Sequence, residues 1–346
     1  MTADATTAPT IEEPAPPTVV EPQAKRKRRK LLLLLALLGA LVVLVGLSVW
    51  YLLFRQPITE VLPGLPNTAM PAYSTSIYGV TRPTGIAVTA DGSRIYTTTY
   101  GQERAVAILD GAGNVMGTAK APDGVPGFVP VFVALDPLTG DLYVSERSTG
   151  RIFVYGGDGT FKRRLVVPER PGFQAVGLAF DPSGNFYFVN TGAAESEVVE
   201  VDRSAKIVTT FGKGDKMYFP NGLAVDADGY VYVADSNNGR LLVYARDGHL
   251  VTKVGRGVGA GLLGLPRSVA IDSKSRVYVA DTTGQQVSVY GAVSSPTADR
   301  LEYIGGFGTE GASDASFEYP TGVAVDGRGR IYVSDTMNDR LQVWSY

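Results

Sequence analysis

The 346-residue chain has no cysteine and a single histidine, His249. Without cysteine there are no disulfides, no thiolate metal sites and no cysteine nucleophile. One histidine cannot build a multi-histidine metal centre. A Ser-His-Asp triad would have to be centred on His249, yet Asp247-Gly-His249 reads as a turn beside an outer strand, with no nucleophile elbow nearby. Positive charge is scarce where a core could form. Residues 1–56 hold seven of the 32 Lys and Arg and only four of the 34 Asp and Glu, leaving 25 basic and 30 acidic residues in the remainder. That acidic balance argues against a nucleic-acid partner. No metal site and no cofactor are expected from these residues.

Glycine and tyrosine are abundant, at 41 and 18, and 45% of residues are hydrophobic. Long amphipathic helical stretches are missing, so the composition predicts an all-β chain rich in turns. Residues 1–30 are rich in Thr, Ala, Pro and Glu and end in Lys25-Arg-Lys-Arg-Arg-Lys30, which reads as a disordered tail with a basic run. In Leu31–Phe54, Ser48 is the one clearly polar side chain. A helix crosses the hydrocarbon core with about 20 apolar residues, so this span is expected to be a transmembrane signal anchor. Its apolar run exceeds that of an ordinary signal peptide, and no small-x-small cleavage pattern follows. Six basic residues precede the helix and Arg55 alone follows closely. The positive-inside rule therefore places the N-terminus in the cytoplasm and everything after Arg55 outside. Residues 55–72, with Pro57, Pro63, Pro66 and Pro71, read as a stalk.

From residue 73 to 346 the chain repeats one pattern. Its clearest copy is Phe219–Tyr244: apolar GLAV, the turn Asp226-Ala-Asp-Gly229, alternating YVYVA ending on Asp235, the turn Asn237-Asn-Gly239, then RLLVY. Six copies begin at Pro83, Pro130, Ala175, Pro220, Pro266 and Pro320. Equivalent residues Thr89, Asp136, Asp181, Asp226, Asp272 and Asp326 are separated by 47, 45, 45, 46 and 54 positions. Such periods, with several strands in each, point to propeller blades. A fourth strand closes most copies, as at Lys206, His249 and Glu302, but the sixth stops at Trp344-Ser-Tyr346. Tyr73–Gly79 matches the closing strands and is expected to complete the sixth blade, leaving no open edge.

The P-x-G-[VIL]-A-[VIF]-D-x-x-G-x-[IV]-Y-V-[AS]-D-[ST]-x-N-x-R-[LI]-x-V-[YW] pattern resembles the NHL repeat, most closely in copies four and six. The resemblance spans residues 73–346 and implies a six-bladed β-propeller, a fold that serves many tasks. Some related propellers are lyases with several histidines around zinc, an arrangement that one histidine cannot provide. Others are calcium lactonases using Glu, Asn and Asp at the channel mouth. Here the residue after each blade-opening position is Thr84, Val131, Val176, Asn221, Arg267 or Thr321, a poor lining for a hard cation.

Two sets of residues are candidates for a role. Acids ending the second strand and arginines opening the third recur as Glu146 and Arg151, Asp235 and Arg240, and Asp335 and Arg340. A pair repeated from blade to blade reads as a structural turn brace. The loops leading into the first strands carry Tyr218, Phe219, Asn221, Arg267, Phe317 and Tyr319. Aromatics and arginine on loops over a rigid scaffold suit a binding face, although residues such as Phe219 and Tyr319 also suit packing between blades. The expected function is a membrane-tethered, extracytoplasmic propeller that binds a protein, peptide or other ligand as a scaffold or sensor without its own catalysis. A hydrolase or lyase with a carboxylate-based site at the channel mouth is the alternative.

Overall fold

The computed structural model describes residues 70–346, except Gln102 and residues 294–299, together with helical positions between Leu32 and Val45. Two compact units divide at Asn67 and Thr68. In the first, residues 35–43 are helical, and Leu37, Leu41 and Val42 are exposed. Among the described residues no helix is long and apolar enough to cross a membrane. The remainder of the Leu31–Phe54 span, the basic tail and residues 55–69 lie outside the described residues.

The second unit holds six four-stranded antiparallel sheets. Each is a blade, with the strands in sequence order from the first, or inner, strand outward. The inner strands are Pro83–Val88, Pro130–Leu135, Ala175–Phe180, Pro220–Val225, Pro266–Ile271 and Pro320–Val325, in blades 1 to 6. In the sixth blade the outer place is taken by Ala72–Ile77, which pairs antiparallel with Arg340–Ser345 and puts Tyr73 opposite Trp344. The ring is thus closed by joining the first strand to the last. Blade 5 is followed by a short parallel pair, Thr309–Glu310 with Ser316–Phe317.

Alternation along the strands sends apolar side chains to both faces of every blade, because each blade is covered on both sides by its neighbours. Six apolar clusters result, one between each pair of adjacent blades. Between blades 4 and 5, for example, Tyr232, Leu241 and Val243 pack against Val269, Val277 and Val279. Between blades 5 and 6, Phe317 and Phe307 pack around Trp344.

The recurring glycine of the inner strand has a steric cause. A Cβ at Gly177 would lie 1.9 Å from the Asn221 carbonyl oxygen, and one at Gly322 would lie 2.1 Å from that of Thr84. These are points where neighbouring inner strands converge on the axis, so the side chain must be absent. Hydroxyls then tie blade to blade: Thr282 Oγ1 donates to the Pro320 carbonyl at 2.7 Å, and Thr336 Oγ1 to that of Pro83 at 2.7 Å.

The D-x-x-G turns are closed by their own aspartate. Asp226 accepts from the Asp228 and Tyr230 backbone N–H groups and from the Tyr232 hydroxyl, so its carboxylate is engaged within its own turn. Burial raises the Asp226 carboxyl above its ordinary range, partly opposed by those hydrogen bonds.

Candidate functional site

Every inner strand breaks register just after its first residue, as between Pro220 and Leu223 or Pro266 and Ser268. A bulge re-aims the side chains beside it. The second residues of these strands gather at the channel mouth. Thr84, Val131, Asn221, Arg267 and Thr321 line one central cup of about 120 Å³, together with Tyr100, Phe132 and Arg147. Val176 lies in an adjoining groove of about 160 Å³ that shares Val131, Arg147 and Asn221 with the cup and is walled by Phe219 and Gln174.

Phe132 projects into the space between the inner strands. It occupies the third inner-strand position, where Gly85, Gly177, Gly222 and Gly322 stand in four other blades. Its ring edge, in blade 2, comes within 3.3 Å of where a Gly222 Cβ would be, in blade 4. A side chain that reaches past blade 3 in this way projects into the space enclosed by the inner strands, where it helps to wall the cup.

The acid that ends each second strand organises the rim. Asp235 accepts the Tyr218 N–H at 2.7 Å, Asp335 that of Glu318 at 2.7 Å, Glu146 that of Val129 at 2.9 Å, and Asp281 that of Leu265 at 2.7 Å. In blade 3 the amide oxygen of Asn190 takes the Gln174 N–H at 2.9 Å. Each group fastens the loop that leads into its own blade, so the rim is held from beneath. Arginine joins in two blades. Arg240 Nε donates to Asp235 at 2.6 Å, and Arg340 Nε to Asp335 at 2.8 Å. The expected third pair does not form. Arg151 is exposed, and Glu146 uses its second oxygen for the Thr149 N–H at 2.8 Å and its hydroxyl at 2.6 Å. A turn with a serine and a threonine supplies local donors that make the guanidinium redundant. Burial pushes the Glu146 carboxyl upward, but its hydrogen bonds from Ser148, Thr149 and Val129 prevail and hold it below its ordinary range.

The candidate binding-face residues divide. Asn221 and Arg267 line the cup. Tyr218, Phe219 and Tyr319 stand on the rim with 56%, 57% and 41% of their surfaces exposed, so these aromatics are not blade-packing residues. Phe317 is a correction: it is fully buried against Phe307 and Trp344, because its side chain fills the gap between blades 5 and 6.

Phe219 and Tyr319 also hold left-handed backbone, with φ of 48° and 64°, immediately before Pro220 and Pro320. A large L-residue before proline resists that region, so the loops store strain where the rings project into solvent.

Two charged groups in the cup lack partners. Among the described residues neither Arg147 nor Arg267 forms an ion pair, and the Arg267 Nε–H is buried without an acceptor. Burial and the nearby Arg147 lower the Arg267 pKa, against an opposing effect of Tyr319. Among the described residues no Asp or Glu lines either the cup or the groove. Among the described residues there is also no group of three His, Asp or Glu placed to hold a metal ion. His249 sits beside Asp247 on an exposed outer turn.

Reasoning from the repeat alone missed Tyr100, Phe132 and Arg147. The signal was available in the repeat. At the position following the second-strand acid, blades 3 to 6 carry Thr191, Ser236, Thr282 and Thr336, and only blades 1 and 2 carry Tyr100 and Arg147.

Residues 217–244 and 317–344, within blades 4 and 6, match the NHL repeat, and the protein is a six-bladed β-propeller carrying that repeat. No curated protein sequence gives a significant match. Among solved structures, a streptogramin B lyase is similar at 13% identity and a TM-score of 0.53, over 80% of this chain and 96% of that one. Virginiamycin B lyase from Staphylococcus aureus is similar at 13% identity and a TM-score of 0.54, over 80% of this chain and 99% of that one. At these identities the similarity establishes the shared propeller fold.

Proposed function

We propose that the protein is a membrane-tethered propeller whose loop face binds a protein, peptide or other ligand outside the cytoplasm, without chemistry of its own. The observation that carries this reading is the cup and its rim. Exposed Tyr218, Phe219 and Tyr319 stand on the loops that lead into blades 4 and 6, whose inner strands help to line the cup, and two of these rings sit on strained backbone. The same left-handed turn occurs at Arg82 before Pro83, so the geometry belongs to the blade entry, and it is the exposed rings carried on it that suit contact with a ligand. Among the described residues the cup lining offers arginine, threonine, asparagine and the Tyr100 hydroxyl but no carboxylate or histidine to act as a general base. That composition supports binding over the hydrolase or lyase alternative.

Tethering is supported by the apolar Leu31–Phe54 span and the basic run before it. Protease added outside intact cells should release the propeller and spare the N-terminal tail, and the reverse pattern would overturn the orientation. For the binding face, a photo-crosslinking amino acid replaces Phe219 or Tyr319 in cells, with Met116 and Val208 on exposed outer strands as controls. Adducts at the rim positions and none at the controls are expected. Adducts at the controls alone would refute the assignment of this face.

A further inference from the structure

We infer that the central cup is a site for an organic carboxylate, held by Arg267 and Arg147, with its apolar stem lying in the groove beside Phe219. The inference rests on the binding-face reading above and adds the chemical class of the ligand. Three observations carry it.

The first is charge. Two arginines line the cup, one of them also lines the groove, and neither lining contains an acid, although the residues from 57 to 346 hold 30 acidic against 25 basic side chains. Unbalanced positive charge concentrated in a concave, partly apolar site draws an anion. The second is the Arg267 Nε–H, buried without an acceptor. A buried donor without a partner opposes folding, and a ligand oxygen would supply that partner. Arginine presents its donors as a planar fork that matches a carboxylate.

The third is the shortage of other donors, which selects the class of anion. The Thr84 hydroxyl is bonded to that of Thr98 at 2.6 Å, and the Thr321 hydroxyl to that of Thr336 at 2.6 Å. Asn221 spends its amide N–H groups on Ser236 Oγ at 2.6 Å and the Phe219 carbonyl at 3.1 Å. What remains is guanidinium and the Tyr100 hydroxyl. Two oxygens in a plane suit two forks, whereas a phosphate would leave part of its acceptor capacity unmet beside Val129, Val131 and Phe132. Those walls and the exposed Phe219 ring favour a stem of apolar or aromatic character, as in a free acid or a peptide C-terminus.

The test titrates the full-length chain calorimetrically with benzoate and N-acetyl-phenylalanine, and with N-acetyl-phenylalanine amide and phenyl phosphate as comparisons. A phenylalanine-ending peptide and its amide separate peptide termini from free acids. The acids should bind at least tenfold more tightly than the amide and phenyl phosphate, and Arg267→Gln and Arg147→Gln should each weaken the acids at least tenfold. Arg267→Met should abolish binding yet raise or preserve the melting temperature, since it removes the unpaired donor. Equal binding of acid and amide, tighter binding of phenyl phosphate, no binding of any acid, or a marked loss of stability in Arg267→Met would each overturn the inference. Rim crosslinking in cells distinguishes the two readings: adducts at Phe219 without carboxylate binding would leave the face assigned and the ligand class refuted.

Discussion

Asp235 is the buried hinge of the rim in blade 4, and its replacement tests whether the loops are held from below. Its carboxylate accepts the Tyr218 N–H at 2.7 Å, Asn238 Nδ2 at 2.8 Å and Arg240 Nε at 2.6 Å, and it is completely shielded from solvent. Asp235→Ala strands all three donors, one of them charged. Breaking a buried charge pair by removing one partner costs about 3–5 kcal/mol. In a domain of this size each kcal/mol moves the melting temperature by about 2–4 °C, so a fall of roughly 6–20 °C is expected. Asp235→Asn keeps the acceptor for Tyr218 but points an amide N–H at a guanidinium, and should lose most of the same stability. Blade 3 shows how to repair it. There Asn190 occupies the acid position, and its Nδ2 donates to Glu197 at 2.9 Å, directly opposite on the third strand. Adding Arg240→Glu to Asp235→Asn recreates that pair and should recover about 1–2 kcal/mol, within the coupling seen for contacting residues. Recovery should be incomplete, since Glu197 is also supported by Lys213 at 3.2 Å and Arg170 at 3.4 Å, which blade 4 does not reproduce. Urea and thermal unfolding of the full-length variants measure these differences. An Asp235→Asn variant within 0.5 kcal/mol of the parent, or a double variant no better than the sum of its singles, would refute the reasoning.

Three further outcomes follow from the same geometry. Gly322→Ala places a methyl group on the Thr84 carbonyl, 2.1 Å away, and should cost about 1–3 kcal/mol in unfolding measurements, while Gly117→Ala on an open outer strand should cost less than 1 kcal/mol. Glu146 has its folded pKa held below the unfolded value, so its contribution to stability is complete above that unfolded value, near 4.5, and is lost as pH falls through the folded value. Glu146→Gln should therefore be less stable than the parent at pH 7, and the gap should close in unfolding curves taken progressively below pH 4. Deleting Tyr73–Gly79 removes most of the strand paired with Arg340–Ser345 and opens the ring. Its melting temperature should fall sharply; an unchanged value would refute strand closure.

The architecture was legible because a propeller repeats its requirements. Six blades need six proline- or alanine-led inner strands, six aspartate or threonine turns and a way to close the ring, and Tyr73–Gly79 revealed itself by matching the closing strands of other copies. Site chemistry was less accessible, because it resides in departures from the repeat whose geometry depends on neighbouring blades. Asn221 and Arg267 were identifiable from their position beside the blade-opening proline. Phe132 was not, since its importance comes from reaching toward Gly222 of blade 4, which only the closed ring brings near. Phe317 and Tyr319 illustrate the same limit. They are two residues apart on one loop, yet one fills the gap between blades and the other projects from the rim. Arg151 failed as a brace because Ser148 and Thr149 reach Glu146 first.

Phe219 and Tyr319 give the most direct test of the central claim that the rim is built for binding. Asparagine tolerates left-handed backbone, so Phe219→Asn and Tyr319→Asn relieve strain while removing the exposed rings. Melting temperature is measured on the purified variants and rim crosslinking, with the crosslinker moved to Tyr218, in cells expressing them. The account predicts an unchanged or higher melting temperature with crosslinking lost. Variants several degrees less stable that still form the adduct would contradict it, because the rings would then serve the fold.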